Sequence, residues 1–367
     1  MEYSFSVTGH ENLLATHKNT LEFTKEDFLT KNGDCILGIN ASFDSRKLKS
    51  LLKFNTNFEL LIKVGDLVDS LDFVGNIDFV SDKELVIRRS NFVCERTFGI
   101  NASKTAFEIN REIVKKLQNP SVSAEIIIRP KIKLFIFDFD DTLEDFSLGF
   151  YATNNNLGEI ISKEFSLEKK KVIEELQNID HHFCSLGVGK TPDLYDRFLW
   201  FKELSKRLNI SPSDEQINFW IEQYWQIIFK KVRLFTGANS LLKRLSPHYK
   251  LVMLTDSDGP DDSIKINRIK KLKIFDYFDF VMTGNLLNQN KPSKKLYDYI
   301  FEKFGVSASE CVMVGDKPQV DLSLAKELGI TTVQVNKGVW ISRHKNEVFD
   351  YVDYKVDNVK KILDIRF

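Results

Sequence analysis

The chain has 367 residues, which is long enough for two or more domains, each with a core of its own. Its 52 basic and 52 acidic residues give a formal net charge of zero, so no global field favours nucleic acid. No apolar stretch is long enough to span a bilayer, and the N-terminus lacks the features of a signal peptide. The four cysteines form no Cys-x-x-Cys pair, which fits free thiols in a reducing compartment. We therefore expect a cytoplasmic protein with neither a membrane nor a nucleic acid as partner.

Residues 1–130 are predicted to form a separate domain of mixed, mostly β (α+β) character. Alternating apolar and polar residues predict a strand at Tyr3–Thr8. The run from Leu67 to Val80, interrupted by Gly75-Asn76, predicts a β-hairpin. Further strands are predicted at Cys35–Ile39, Phe58–Val64 and Ala124–Ile128, and helices at Ser45–Phe54 and Ala106–Leu117.

This first domain also concentrates polar side chains that suit a metal or catalytic site, namely His10, His17, Glu22 and Cys35. The alternative is turn chemistry with ordinary hydrogen-bonded histidines, because no recognised ligand spacing is present. The strings GHENLLATHKNTLEFTKEDFLT and GDCILGINA resemble an uncharacterised domain family known chiefly from archaeal proteins. Because the activity of that family is unknown, the resemblance implies no function for this domain.

The second domain is predicted over residues 131–367 and begins with a wholly apolar run, Leu134–Phe137. Such a run is typical of a central strand that is buried on both faces of a parallel sheet. Asp138, Asp140 and Asp141 follow it directly. Carboxylates so close together at the end of a buried strand repel one another and lose solvation, and a divalent cation would offset both effects. The alternative is an acidic cluster that caps the next helix.

Strands and helices then alternate, which indicates a doubly wound parallel sheet. A helical insertion of residues 147–233, called the cap below, lies where a lid over the carboxylates would grow, and His181–Cys184 are predicted to form a break between its helices. The predicted strands are Leu251–Leu254, Phe278–Met282, Val312–Val314 and Thr332–Val335. The predicted helices are Leu157–Phe165, Lys169–Asn178, Leu194–Leu208 and Asp214–Val232 in the cap, then Ala238–Arg244, Ser263–Lys271, Ser293–Phe304 and Val320–Leu328.

Further polar residues follow the later strands, namely Thr255 with Asp256, Lys291, Asp316 and Asp321. Each is weak evidence by itself, but their order and their positions at strand ends form a strong pattern. Together with D-F-D-D-T they resemble the four motifs of the haloacid dehalogenase-like (HAD) hydrolase superfamily. The insertion resembles the cap of its phosphoglycolate phosphatase-like subgroup. The resemblance implies a Rossmann-like sheet with strand order 5-4-1-2-3 and the first motif on the central strand.

The resemblance also implies a Mg²⁺-dependent phosphatase of a small phosphomonoester. Asp138 would be the nucleophile that forms an aspartyl-phosphate, and Asp140, which the dehalogenases of the superfamily generally lack, would be general acid and base. Thr255 and Lys291 would bind phosphoryl oxygens. Mg²⁺ would be held by Asp138, the backbone carbonyl of Asp140 and Asp316, while Asp321 would orient Lys291 or metal-bound waters.

Two alternatives stay open at this point. A phosphomutase would use the same phospho-enzyme, and in a binding or regulatory module the hydrolase half would be mainly scaffold. Substrate contacts are expected from Asp256, which stands where many relatives have Asn, and from Lys190 and Arg197 of the cap. The substrate and the oligomeric state do not follow from the sequence.

Overall fold

A computed structural model describes residues 3–52, 57–338 and 348–365. These residues form two compact units. The first unit runs to Ile132 and includes the short segment Ser307–Glu310, and the second comprises Lys133–Val306 and Cys311–Ile365. No helix among the described residues is long and apolar enough to cross a membrane.

The first unit is built on a mixed sheet with two short helices, which confirms the predicted mostly β character. Its elements are β1 (Tyr3–Thr8), β2 (Thr20–Thr24), β3 (Ile36–Gly38), α1 (Ser45–Leu52), β4 (Asn57–Val64), β5 (Leu67–Gly75), β6 (Glu84–Arg88), β7 (Thr97–Ile100), α2 (Arg111–Leu117) and β8 (Ser123–Pro130). The order of the described strands is β1-β8-β4-β5-β7-β6-β2-β3. Phenylalanines of β4, β5 and β7 stack in its core, with Phe58 and Phe73 at 5.4 Å between ring centroids.

The predicted hairpin over Leu67–Val80 is wrong. The hairpin is formed by β4 and β5, which pair from Val64 with Leu67 to Asn57 with Val74. Gly65 in the connecting turn has a φ of +57°, which glycine adopts without strain and which suits a two-residue hairpin loop. Three strands were not predicted, and β2 shows why, because every one of its residues is buried and no alternation marks it.

Helix predictions in this unit were close, with differences at the ends. The predicted helix Ser45–Phe54 is α1, and Phe54 lies outside the described residues. The predicted helix Ala106–Leu117 is a 3-10 turn at Ala106–Glu108 followed by α2. The side chain of Asn110 accepts the backbone N–H of Glu112 and so starts a separate helix.

The second unit contains a wholly parallel sheet in which β9 is central, and its order confirms the predicted 5-4-1-2-3 arrangement. The sheet order is β11-β10-β9-β12-β13-β14, so that an additional strand, β14, follows the predicted fifth. Its elements are β9 (Leu134–Phe137), α3 (Phe146–Glu164), α4 (Lys169–Leu186), α5 (Arg197–Leu208), α6 (Asp214–Lys231), α7 (Ala238–Leu245), β10 (Lys250–Thr255), α8 (Ser263–Lys271), β11 (Phe280–Thr283), α9 (Lys294–Phe304), β12 (Cys311–Gly315), α10 (Ser323–Glu327), β13 (Thr331–Val335) and β14 (Tyr354–Val356).

Helices α3 to α6 make up the cap and bury an aromatic core of their own. The predicted break at His181–Cys184 is wrong, because α4 continues through it to Leu186. The buried residues Val172, Leu176, Ile179 and Phe183 keep the helical spacing across that point, so the apolar stripe holds the helix together. The histidine pair therefore lies on a helix and not in a loop.

Candidate active site

The site forms where β9 ends, between the ends of its two neighbours. β9 pairs with β10 on one side and with β12 on the other. The backbone N–H of Asp138 donates to the carbonyl of Val314 at 2.8 Å, which extends the pairing with β12 by one residue. The carboxyl edge of an open parallel sheet is where ligands bind in this class of fold. Asp138 is therefore fixed at the centre of that edge.

The Asp138 carboxylate is buried and held from both sides. One oxygen accepts the Lys291 ammonium at 2.5 Å, and the other accepts the Thr142 hydroxyl at 2.9 Å. Burial raises the pKa of Asp138, and the charge of Lys291 opposes that rise. Two donors from different elements leave this carboxylate a single orientation, as a nucleophile requires.

Lys291 is itself held by three carboxylates. Its ammonium donates to Asp321 at 2.7 Å as well as to Asp138, and its backbone N–H donates to Asp256 at 2.8 Å. Burial lowers the pKa of Lys291, but Asp138 and Asp321 outweigh burial and raise it well above its usual value. Asp256, expected among the substrate contacts, is thus engaged in holding the Lys291 backbone.

Asp316 supplies an unsatisfied oxygen beside this group. The carboxylates of Asp138, Asp316 and Asp321 each offer an oxygen within 4.8 Å of the others. Both oxygens of Asp321 are already in use, by Lys291 and by the backbone N–H of Lys317. One oxygen of Asp316 is buried and has no hydrogen-bond partner in the described part of the chain. Buried carboxylate oxygens without partners are costly, and an oxygen-seeking cation such as Mg²⁺ fits this donor set.

Asp140 lies in a buried charge cluster that the sequence analysis missed. Its carboxylate forms ion pairs with Lys265 and Arg268 of α8. Arg268 also donates to Asp258 at 2.8 Å and to Glu144 at 2.6 Å. Burial alone would raise the pKa of Asp140, but Arg268 and Lys265 outweigh burial and hold it well below its usual range. A signal for this cluster was present in the sequence. Lys265 and Arg268 are three residues apart, and so lie on one face of the helix that follows the Thr255 motif.

The alternative that these acids merely cap the next helix is wrong for Asp138 and Asp140. The N-cap of α3 is Asp145, whose side chain accepts the backbone N–H of Leu148 at 3.3 Å. Asp141 accepts the backbone N–H of Ser147 at 2.9 Å and so supports the first turn.

Thr255, the remaining motif residue, and the cap residues Lys190 and Arg197 lie in three different surroundings. Thr255 is buried at the end of β10, where its hydroxyl donates to the carbonyl of Asp256 at 3.3 Å. A cavity of about 470 Å³ is lined by Asp140 of the sheet and by Arg197 of the cap. Lys190 lines a different hollow, beside Leu186.

The polar residues of the first unit are brought together only in part. Glu22 and Cys35 meet, with the thiol donating to the carboxylate at 3.3 Å. The ring of His10 accepts the backbone N–H of residue 12 at 3.0 Å, and His17 does the same for residue 19 at 3.1 Å, as in ordinary turns. Among the described residues, no set of three potential metal ligands includes any of them.

Another cysteine of the first unit has the more reactive surroundings. The Cys94 sulfur lies 3.3 Å from the Thr97 hydroxyl and 3.5 Å from the Arg88 guanidinium. Burial raises the pKa of Cys94, but hydrogen bonds from Thr97 and the Arg96 backbone and the nearby Arg88 lower it to about 7. For Cys35, burial and the charge of Glu22 raise the pKa to about 12. The two thiols therefore differ strongly in their readiness to ionise.

Comparison with known families divides the chain where the structure does. The family profile of haloacid dehalogenase-like hydrolases matches residues 135–335, and the chain belongs to that family. A domain of unknown function, DUF371, matches residues 5–131. Over 124 residues the chain is 44% identical to an uncharacterised protein of Methanocaldococcus jannaschii, covering 32% of this chain and 92% of that one.

Relatives of the second unit are named as phosphatases. The chain is 27% identical to glyceraldehyde 3-phosphate phosphatase of Pyrococcus furiosus, over 64% of this chain and 93% of that one. It is 24% identical to ribulose-1,5-bisphosphate 5-phosphatase of Halopiger xanaduensis, over 54% and 82%. The solved HAD hydrolase YfnB of Bacillus subtilis aligns with a TM-score of 0.51 at 18% identity, over 64% and 100%. That structural likeness supports the fold alone.

Proposed function

We propose that this protein is a Mg²⁺-dependent phosphatase that hydrolyses a small phosphomonoester through an aspartyl-phosphate on Asp138. Its family and its phosphatase-named relatives make it a phosphoric monoester hydrolase. The observation that carries the mechanism is the Asp138 carboxylate, held between Lys291 and Thr142. Beside it lies an Asp316 oxygen for which the described residues supply no hydrogen bond.

The residue types suit attack on a phosphate dianion, which repels an anionic nucleophile. Mg²⁺, held by Asp138, Asp316 and the backbone carbonyl of Asp140, would supply positive charge to the phosphoryl oxygens. Asp138 attacks phosphorus and becomes phosphorylated. Lys291 neutralises charge on the nucleophile and the phosphoryl group, and Thr255 donates a hydrogen bond to a phosphoryl oxygen.

Asp140 serves as general acid for the leaving oxygen and as general base for the attacking water. Its ion pairs with Lys265 and Arg268 keep it a carboxylate, which is the form that accepts a proton from water. For the acid step the carboxyl group has to leave these partners and take up a proton. Lys265 and Arg268 of α8 therefore hold Asp140 in the ionised form that the base step requires.

The substrate we propose is a small phosphorylated metabolite, because the cavity above Asp140 holds about 470 Å³. Phosphorylated sugars are candidates, since the named relatives act on glyceraldehyde 3-phosphate and ribulose 1,5-bisphosphate. A cytoplasmic location is part of this proposal, because the four cysteines are scattered along the sequence without a disulfide framework.

Phosphate release from p-nitrophenyl phosphate tests this proposal. We expect turnover in Mg²⁺, none in EDTA, and none for Asp138→Asn, because an amide keeps the volume but does not attack phosphorus. Asp298→Asn is the matched control, since Asp298 is an exposed carboxylate of α9 that pairs only with Lys294 among the described residues. Full turnover in the chelator, or in Asp138→Asn preparations verified by mass, would refute the mechanism.

A further inference from the structure

Arg197, the first residue of α5, carries a buried positive charge, and its acidic neighbours Asp180 and Asp258 form no direct ion pair with it. The residue is only 7% exposed. Its guanidinium packs against the rings of Trp200, Tyr224 and Trp225, with centroids 3.6, 4.9 and 5.2 Å away. These three rings fix the plane of the guanidinium inside the cap.

The hydrogen bonds of Arg197 leave part of its donor capacity unused. One terminal nitrogen donates to the Tyr195 carbonyl at 2.9 Å, and the other donates to the Tyr224 hydroxyl at 3.4 Å. The Nε–H is buried and has no hydrogen-bond partner among the residues that the structure describes. Within the part of the chain that the structure describes, no carboxylate lies within 4.0 Å of this guanidinium. A role in packing alone explains the two terminal contacts but not the unpaired charge.

Buried charges in proteins are normally paired, because an unpaired charge loses solvation without compensation. Arginine in particular presents a planar set of donors that matches a carboxylate or a phosphate. Arg197 lines the same cavity of about 470 Å³ as Asp140. An anion bound in that cavity would complete its pairing.

Other charges in the cavity are already engaged or belong to the reaction end. Asp258 is paired with Lys265 and Arg268, and Asp256 accepts the backbone N–H of Lys291. Asp180 accepts the thiol of Cys184 at 3.9 Å. Arg197 therefore places a positive group on the cap side of the cavity, where His181 also lines it, opposite the proposed phosphate-binding edge of the sheet.

We propose that Arg197 binds a second anionic group, a carboxylate or a phosphate, at the far end of the phosphomonoester that this enzyme hydrolyses. The inference rests on the proposed phosphatase function and narrows its substrate class. A substrate with a neutral far end would leave the Arg197 charge buried and unpaired in the complex.

Three esters with the same three-carbon chain test the proposal. They are 3-hydroxypropyl phosphate, 3-(phosphonooxy)propanoate and 3-phosphonopropyl phosphate, which differ only in the neutral or anionic group at the far end. For the wild-type chain in Mg²⁺ we expect kcat/KM to be at least about tenfold higher for the two anionic esters, which is about 1.4 kcal/mol of binding. Arg197→Gln should remove this preference, so that the kcat/KM values of the anionic esters fall to that of the hydroxyl ester.

Arg207→Gln is the matched control, because Arg207 lies on the same helix, pairs with Glu203 at 3.3 Å and does not line the cavity. It should keep the wild-type preference. Arg197→Lys keeps the charge without the planar donors, so its preference for the anionic esters should lie between those of the wild type and Arg197→Gln.

Equal kcat/KM for all three esters in the wild type would overturn the inference, even if Arg197→Gln failed to fold. An equal loss on all three esters in a folded Arg197→Gln would also overturn it, in favour of a packing role. Failure of the phosphatase function itself is distinct, since then neither these esters nor p-nitrophenyl phosphate would be hydrolysed.

Discussion

Asp316→Asn should stabilise the metal-free protein and remove its stabilisation by Mg²⁺. Asp316 is fully buried, and none of the described residues forms a hydrogen bond with one of its oxygens. Burial and the nearby carboxylates of Asp321 and Asp138 raise its pKa well above the usual value, although the charge of Lys317 opposes them. An amide keeps the shape of the side chain and removes the charge that makes this position unfavourable without a cation.

The separation of the carboxylates sets the size of the effect. Two unit charges no more than 4.8 Å apart repel by at least about 3.5 kcal/mol at an effective dielectric constant of about 20. Lys291 neutralises part of this repulsion through Asp138 and Asp321. We therefore expect the free energy of unfolding of metal-free Asp316→Asn at pH 8 to exceed that of the metal-free wild type by about 1–3 kcal/mol. Mg²⁺ at about 100 times its Kd should stabilise the wild type by about 2.7 kcal/mol and the variant far less.

The pH dependence follows from the direction of the pKa shift. A raised folded-state pKa means that the folded protein binds the proton more tightly than the unfolded chain does, so stability falls as pH rises through the folded-state pKa. Below the pKa of an aspartate in the unfolded chain, about 3.9, the stabilising contribution of the protonated Asp316 is fully present. The advantage of Asp316→Asn should therefore be larger at pH 8 than at pH 5.

Urea unfolding followed by tryptophan fluorescence measures these changes in stability, because Trp200, Trp220 and Trp225 are buried in the second unit. Asp321→Asn is the contrasting variant. It weakens the buried ion pair with Lys291 and should destabilise the protein by about 1–3 kcal/mol under the same conditions. The reasoning is refuted if Asp316→Asn is less stable than the wild type in EDTA at pH 8, or if Mg²⁺ stabilises both equally.

Three further predictions test the surroundings of the site and the first unit. Asp140→Asn should slow hydrolysis of the phospho-enzyme by about 10²–10⁴-fold. An aryl phosphate needs little protonation of its leaving group, so it should still label Asp138 with phosphate in rapid-quench experiments. If no label forms and aryl and alkyl esters are slowed equally, Asp140 is not the general acid and base. Arg268→Met should lower the free energy of unfolding by about 3–5 kcal/mol, because it leaves buried carboxylates unpaired; a loss below about 1 kcal/mol in urea titrations would contradict this. Iodoacetamide at pH 7 should alkylate Cys94 far faster than Cys35, since their pKa values are about 7 and about 12; peptide mass spectra showing equal rates would argue against a Cys94 thiolate.

The sequence determined the sheet of the second unit and the residues at its edge. Asp138, Thr255, Lys291 and Asp316 each follow an apolar strand or open a helix after one, and parallel strands bring their carboxyl ends to one edge. Residues far apart in the chain therefore converge for a reason that is visible in one dimension. The wholly apolar run Leu134–Phe137 predicted that β9 is a central strand, and the resemblance to the HAD superfamily implied the strand order.

Only the tertiary structure decided what lies opposite each polar side chain. Lys265 and Arg268 read as part of a lysine-rich helix, because periodicity shows which face is buried but not which charges meet it. Likewise the sequence offered Arg197 and Lys190 alike as substrate contacts. Only the fold enclosed Arg197 in aromatic rings and left its Nε–H without a hydrogen-bond partner among the described residues. In the first unit the Leu67–Val80 hairpin was wrong for a related reason. Strand partners are chosen by cross-strand packing and turn geometry, which the alternation of apolar residues alone does not encode.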